Sequence, residues 1–427
     1  MSRLVITGGT VLDPASGLNA PKALLIENET IHSVVEEIPE GWSDAETIDA
    51  TGRWVLPGLI CLRTHVGEPG TEWKEDVESV SKAAIAGGFT TICATPNTTP
   101  INDVRAVTEQ LLARTEHVNG VRILPVAAAT RGLAGETLAE MGDLKDAGCI
   151  AVSSGDRAIP NAQLLRRVLE YARSIEIPFF TVARDDSMSR DTVMHEGHAS
   201  NRLGMNAMPS EAEVISLFRD ATISGLAQWP IHIQKISTRA TLNTLRQLRE
   251  SGLNITVDVT PHHLWFNDEV TAHFDTDTRV EPPLRSQDDV AACREAIAEG
   301  LIQAIATDHC PQSSVEKAVE YAYAEPGTTG LETTLAAVLD LVHQNQLPLM
   351  QALSCLTVGP ANILGRQDLG RLSEGATADV IIVDSDTPFR AESVRMHSKS
   401  RNCIFEGVSL TGVVETTIVK GKVIAVS

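Results

Sequence analysis

The spacing of hydrophobic positions changes twice along the chain. Over about the first fifty residues, short β-rich runs (LVITGGTVLDP, KALLIENETIHSVV, ETIDATGRWVLPG) alternate with turns, the pattern of small, half-buried strands. About the last sixty residues return to it in RLSEGATADVIIVDSD and GVSLTGVVETTIVKGKVIAVS. Neither end holds enough strands for a stable sandwich of its own. The two termini are therefore expected to pair into one composite β domain, residues 1–55 with 365–427.

Between them, buried apolar runs of strand length are each followed by an amphipathic stretch of helix length. The candidate strands are VLPGLICLR, TTICAT, RILPVAA, CIAVSS, PFFTVA, IHIQKI, NITVDVT and LIQAIATD. Such βα repetition over 56–364 predicts an α/β fold, a (β/α)8 TIM-type barrel beside a small β-sandwich domain. An open doubly wound sheet fits less well, because the phosphate-binding GxGxxG after its first strand is absent. In a barrel of this kind the chemistry sits at the C-terminal ends of the strands.

Composition narrows the partners. With 56 acidic against 35 basic residues the formal charge is −21, which disfavours nucleic acid and anionic membrane surfaces as partners. The seven cysteines are scattered without a CxxC pair, as in a reducing compartment. The N-terminus lacks a basic segment followed by an apolar one, and no apolar run reaches the roughly 18 residues of a membrane span. A cytoplasmic location is expected.

A metal-dependent barrel hydrolase needs His, Asp or Glu converging at the strand ends. Here the first strand ends in Arg63-Thr64-His65, the second leads to Asn97, the fourth ends at Ser154 and the fifth carries Val182. The sixth delivers Lys235, the seventh leads to His262 and His263, and the eighth ends in Asp308-His309. Arg63 and Lys235 cannot coordinate a metal while protonated and would repel one nearby, so a binuclear site is not expected.

Several ordered segments, spread over essentially the whole chain, resemble those of dihydroorotases in the amidohydrolase superfamily. VLPGLICLRTHVGEPGTEWKED is similar to that family's first-strand signature, an Asp-x-His-x-His stretch followed by an Arg-Glu-Pro-Gly turn. ATPNTTP, VTPHHL, RVEPPLR, AIATDHCPQ, GLET and SKSRNCIFEG follow in the family's order. Dihydropyrimidinase-like proteins are the nearest competitor, and the SKSRN segment and EPG turn favour dihydroorotase.

Carried over position by position, the resemblance places Arg63 on the family's first metal-binding His and retains the second as His65. Ser154 falls on the bridging acid, Val182 and Lys235 on the His residues ending strands five and six, and Asp308 on the catalytic Asp. Cys61 replaces the Asp that begins the signature. The substrate positions are altered as well. Gly67 stands on the carboxylate-binding Arg, Glu281 on an Asn and Gln312 on a closing His, while Asn97 survives. Glu281 is expected to repel an acidic substrate.

Other readings of these residues are less specific. His65 with Asp308 and His309 could hold a single metal, but catalytic sites usually offer three ligands in an open geometry. Arg63 and Lys235 are expected to pair with Asp308, since a buried carboxylate stripped of its metal is costly alone. His262 and His263 are read as packing or capping residues and Cys61, Cys93 and Cys310 as apolar fillers. The stretch Arg184-Asp185-Asp186 and the loop MHEGHASNRLG, of a type that caps the barrel in active members, are weak evidence of a new site.

The resemblance thus implies a non-catalytic homologue with no metal and no other cofactor. It further implies a partner, the catalytic chain of aspartate carbamoyltransferase, in a hetero-dodecamer of six plus six chains; a homodimer is also possible. The alternatives are an active cyclic-amide hydrolase using one metal or none, and a dihydropyrimidinase-like scaffold.

Overall fold

The computed structural model describes residues 2–118 and 120–424. All eight apolar runs become parallel strands. They are β1 (Leu59–Thr64), β2 (Phe89–Ala94), β3 (Arg122–Ala128), β4 (Ala151–Ser153), β5 (Phe179–Val182), β6 (Ile231–Gln234), β7 (Ile255–Val259) and β8 (Ala304–Ile305). Each pairs with its neighbour in sequence order.

The seam between β8 and β1 is closed at its two ends by different devices. At the C-terminal end Thr64 bridges His309, with the His65 N–H donating to the His309 carbonyl at 2.8 Å. At the other end the chain at Cys355–Leu356 lies between the strands and accepts from Ile305 N–H (2.8 Å) and Ile60 N–H (2.9 Å).

The outer helices form because their apolar positions recur at helical spacing. Val77–Ala86 buries Val77, Val80, Ala83 and Ala84 and is started by a capping box between Asp76 and Ser79. Ala162–Ser174 buries Leu164, Leu165, Val168, Leu169 and Ala172 behind the N-cap Asn161. Each such Leu or Val contributes about 1.5–3 kcal/mol of transfer free energy. Along β1, Leu59 and Cys61 face this helical belt while Ile60 and Leu62 join a separate cluster with Cys93, Val126 and Phe180. The period of two assigns one set to each face.

The terminal segments form two sheets. A four-stranded one uses only N-terminal residues, in the order Thr30–Val35, Ala23–Glu27, Arg3–Thr7 and Glu46–Asp49. The six-stranded one is shared: Lys422–Ile424, Ser409–Val419 and Val380–Arg390 join Trp54–Pro57, Thr10–Asp13 and Leu18–Pro21. Val380 and Ile382 face the β-domain core with Val11, Val55 and Ile418, whereas Ile381 and Val383 pack into the barrel's core. One alternating strand thereby joins the two units.

The run read as a single strand, VLPGLICLR, is split. Trp54–Pro57 belongs to the terminal sheet and pairs with Val380–Val383, and the chain passes into the barrel at Gly58. A Cβ on Gly58 would sit 2.2 Å from Thr90 Oγ1 and 2.7 Å from Thr90 Cβ, so only glycine permits this crossing. Gly58→Ala is expected to lower stability by about 1–3 kcal/mol, the usual cost of overpacking, as measured by urea denaturation; an unchanged midpoint would show that the crossing relaxes.

Candidate functional site

The C-terminal strand ends converge on one charged cluster. A register irregularity between Cys61 and Thr64 breaks the alternation of β1, and Arg63 turns into the barrel mouth. Its guanidinium, 1% exposed, donates through Nε to Asp308 Oδ1 at 2.8 Å and through Nη1 to Gln234 Oε1 at 3.0 Å. Nη2 donates to Asp156. Lys235 Nζ lies 3.6 Å from Asp308 Oδ2 and donates to the Glu281 carbonyl at 2.7 Å. Lys235 and Asp308 both have left-handed backbones, with φ of 62° and 47°, a conformation uncommon outside glycine. The Lys235 backbone is held by its N–H donating to Asp258 Oδ1 at 2.6 Å.

These contacts set the charges. Burial favours the neutral form of the Asp156 carboxyl, but Arg63, His65, Lys235 and Arg184 outweigh it and hold the group well below the usual carboxylate range. Burial opposes the Arg63 charge, yet Asp156 and Asp308 raise its affinity for the proton further. His65 is pushed down to about 4 by burial and by Arg63 and Lys235, against the pull of Asp156 and Asp308, so it is neutral near pH 7. Lys235 is lowered by burial and by Arg63, with Asp308 and Asp156 opposing.

Above the cluster lies a cavity of about 850 Å³ lined by His65, Asn97, Ser154, Asp156, Lys235, Glu281, Asp308 and Gln312, with Arg157, Arg184 and Arg279 among the other lining residues. Asn97 Nδ2 donates to Asp156 Oδ2 at 2.7 Å, and Ser154 Oγ bonds to Thr181 Oγ1 at 3.0 Å. Val182 is buried at the end of β5. Gln312 accepts from Lys74 Nζ at 2.7 Å and donates to the Pro326 carbonyl at 2.9 Å. The His65 imidazole makes no hydrogen bond among the described residues.

One expectation is corrected and two weaker readings are resolved. Glu281 was expected to repel an acid, but its carboxylate is paired with Arg184. His309 does not approach a site with His65 and Asp308. It is buried, with Nε2 3.2 Å from Glu75 Oε2 and Nδ1 accepting from Gly330 N–H at 3.2 Å. Arg184, weak evidence by sequence, lines the cavity, while Asp185 caps the short helix Asp186–Ser189.

The other secondary readings have direct counterparts. His263 bonds to Thr260 Oγ1 at 2.7 Å and His262 packs against it at 4.7 Å between ring centres. Burial pushes the thiols of Cys61, Cys93 and Cys310 up, the last to about 12. None is a thiolate at neutral pH. In the loop at 194–204, His195 Nδ1 lies 3.2 Å from Nη1 of the buried Arg285.

Gly67 leaves no room for a side chain. Its φ is +72°, and a Cβ there would meet the Glu75 carbonyl oxygen at 2.1 Å. No arginine fits this position without moving the loop. Asp156 was missed by the sequence reading; the acid two residues past Ser154 in SSGD was the available signal, because that turn returns its side chain toward the barrel axis.

The amidohydrolase family model matches residues 54–424. The chain belongs to that family. A dihydroorotase from Anaeromyxobacter dehalogenans is 43% identical over 99% of this chain and 97% of its own length. One from Pelobacter propionicus is 40% identical over 99% of both. Among solved structures, an L-hydantoinase (dihydropyrimidinase) from Arthrobacter aurescens superposes with a TM-score of 0.90 at 20% identity, covering 100% of this chain and 96% of its own. This last likeness concerns the fold.

Members of this family usually bind metals. The donor set at these strand ends does not fit one. His65 and Asp308 are joined by Arg63 and Lys235, and among the described residues no group of three or more His, Cys, Asp or Glu side chains is placed to hold an ion. Cations in the same space repel another cation.

Two measurements probe the cluster. Arg63→Met leaves Asp308 and Asp156 short of a buried partner and is expected to cost about 3–5 kcal/mol in urea denaturation; a loss under about 1 kcal/mol would show the network to be dispensable. The second is pH dependence. His65 and His262, the latter lowered to about 3 by burial and Lys235, take up protons more readily unfolded than folded. Stability should therefore be full above about pH 6.5 and fall as the pH drops toward 4 and then 3. The depressed Asp156 adds a loss below about pH 4, where its unfolded counterpart protonates first. A His65→Gln variant should show a shallower decline, and an identical slope would contradict this assignment.

Proposed function

We propose that this chain is a non-hydrolytic homologue of dihydroorotase that works by association, supporting the assembly and stability of aspartate carbamoyltransferase in pyrimidine biosynthesis. The observation that carries the first half is the Arg63 guanidinium, buried at the end of β1 and bonded to Asp308, Asp156 and Gln234. Hydrolysis of a cyclic amide by this family's route needs a metal-bound water. Here a fixed cation stands against the Asp308 carboxylate in place of such a metal.

The positions Arg63, Ser154, Val182 and Lys235 are read as vestiges of ligands, and Gly67, Glu281 and Gln312 as vestiges of substrate contacts. A changed metal would account for the first group but not the second. The association half rests on the dihydroorotase relatives, the intact barrel and terminal domain, and the resemblance to inactive homologues that join carbamoyltransferase trimers. Exposed Ile215, Phe218 and Leu226 also lie along one face of helix Glu211–Ala227, a type of surface that associating proteins cover.

The test has two arms. Purified protein is assayed for zinc and for interconversion of dihydroorotate and carbamoyl-aspartate; the expected result is no stoichiometric zinc and no turnover. Native extract is then fractionated by size, where the chain should co-elute with aspartate carbamoyltransferase in a particle of six plus six chains. Stoichiometric zinc with turnover would overturn the first half, and elution free of carbamoyltransferase the second.

A further inference from the structure

The cavity contains a feature that neither hydrolysis nor association uses: a primary amine at the end of β6. Lys235 is 7% exposed and lines the cavity. Its Nζ is 3.6 Å from the Asp308 carboxylate, and the fixed cation Arg63 is bonded to the other oxygen of that carboxylate. A lysine removed from water beside another cation gives up its proton more easily than an exposed one, the general means by which an amine is made nucleophilic toward a carbonyl carbon.

The cavity also holds an unclaimed cation. Asp156 and Asp308 are bonded to Arg63, and Glu281 is paired with Arg184. Arg157 lines the same cavity, exposed, and makes no ion pair or hydrogen bond among the described residues. A guanidinium of this kind suits a carboxylate. Asp191 and Glu325 line the cavity too, which disfavours ligands with several acidic groups.

We propose that the cavity captures a small mono-acidic oxo compound, a 2-oxo acid, as an imine on Lys235, with Arg157 holding its carboxylate. The Lys235 ammonium passes a proton to Asp308. The free amine attacks the carbonyl carbon, the C–N bond forms, and the former carbonyl oxygen takes up that proton. The resulting carbinolamine then loses water. The oxygen leaves with both its protons, one of them from the nitrogen by way of Asp308, and the iminium keeps one N–H. The sum is ammonium plus ketone giving iminium plus water, with no oxidant or reductant. Because the iminium keeps the positive charge of the ammonium, Asp308 remains compensated when the ligand is bound. The proposal is independent of the carbamoyltransferase partner.

The test is reductive trapping on the full-length protein. Pyruvate and sodium cyanoborohydride are added, followed by peptide mass mapping, with acetone as an uncharged carbonyl probe. One reduced pyruvate adduct on Lys235 is expected, at least tenfold above any other lysine, and absent from Lys235→Arg, which keeps the charge. Arg157→Met, altered only at an exposed residue, should lose most labelling by pyruvate and none by acetone. Labelling spread over surface lysines, or no adduct on folded wild-type protein, overturns the proposal. Equal labelling of wild type and Arg157→Met by pyruvate overturns the assignment to an acid.

Discussion

The ion pair between Arg63 and Asp308 is the contact on which the rest of this barrel mouth depends. A carboxylate at the end of β8 is almost fully shielded from water, and an unpaired charge in such a place is costly. Arg63 answers it from β1 and, with its remaining N–H groups, ties in Gln234 from β6 and Asp156 from the loop after β4. A single guanidinium thus links elements from around the barrel, as a metal held between strand ends would, by directional donors. Arginine suits the task because its planar fork is preorganised and stays charged when buried.

Such a network has limited value as a source of stability. A buried pair often does no better than well-packed apolar residues of equal volume, although breaking one side of it is expensive. That asymmetry gives a physical reason why Arg63, Asp308 and Asp156 hold together. Gly67 is constrained by packing: its loop passes so close to Glu75 that a side chain has no room. The surrounding cavity has not collapsed, because its walls are polar and held by their own bonds, such as Arg184 with Glu281 and Gln312 with Pro326.

Much of the architecture was legible in the sequence, for reasons specific to each element. The eight barrel strands were found because runs such as RILPVAA and PFFTVA are largely apolar on both faces, as buried parallel strands are. VLPGLICLR was read as one strand because nothing in its hydrophobicity marks the change of sheet; the marker is the 2.2 Å approach of Thr90 to Gly58, a contact between distant residues. Arg63 and Lys235 stood out because cations are the wrong chemistry for a metal site. Asp156 did not, because it lies beyond the strand end and only the turn after β4 brings it back to Arg63.

Local order and residue chemistry were therefore decided by the sequence alone: strand and helix periodicity, the pairing of the two termini, and cations at two of the strand ends. Which charges meet was decided only by the tertiary structure. His309 sits beside Asp308 in the chain yet bonds to Glu75, while Glu281 meets Arg184 and Asp156 meets Arg63 at the barrel mouth. The physical reason is that hydrophobic spacing is a property of one segment, whereas an ion pair at a barrel mouth depends on the positions of several strand ends at once.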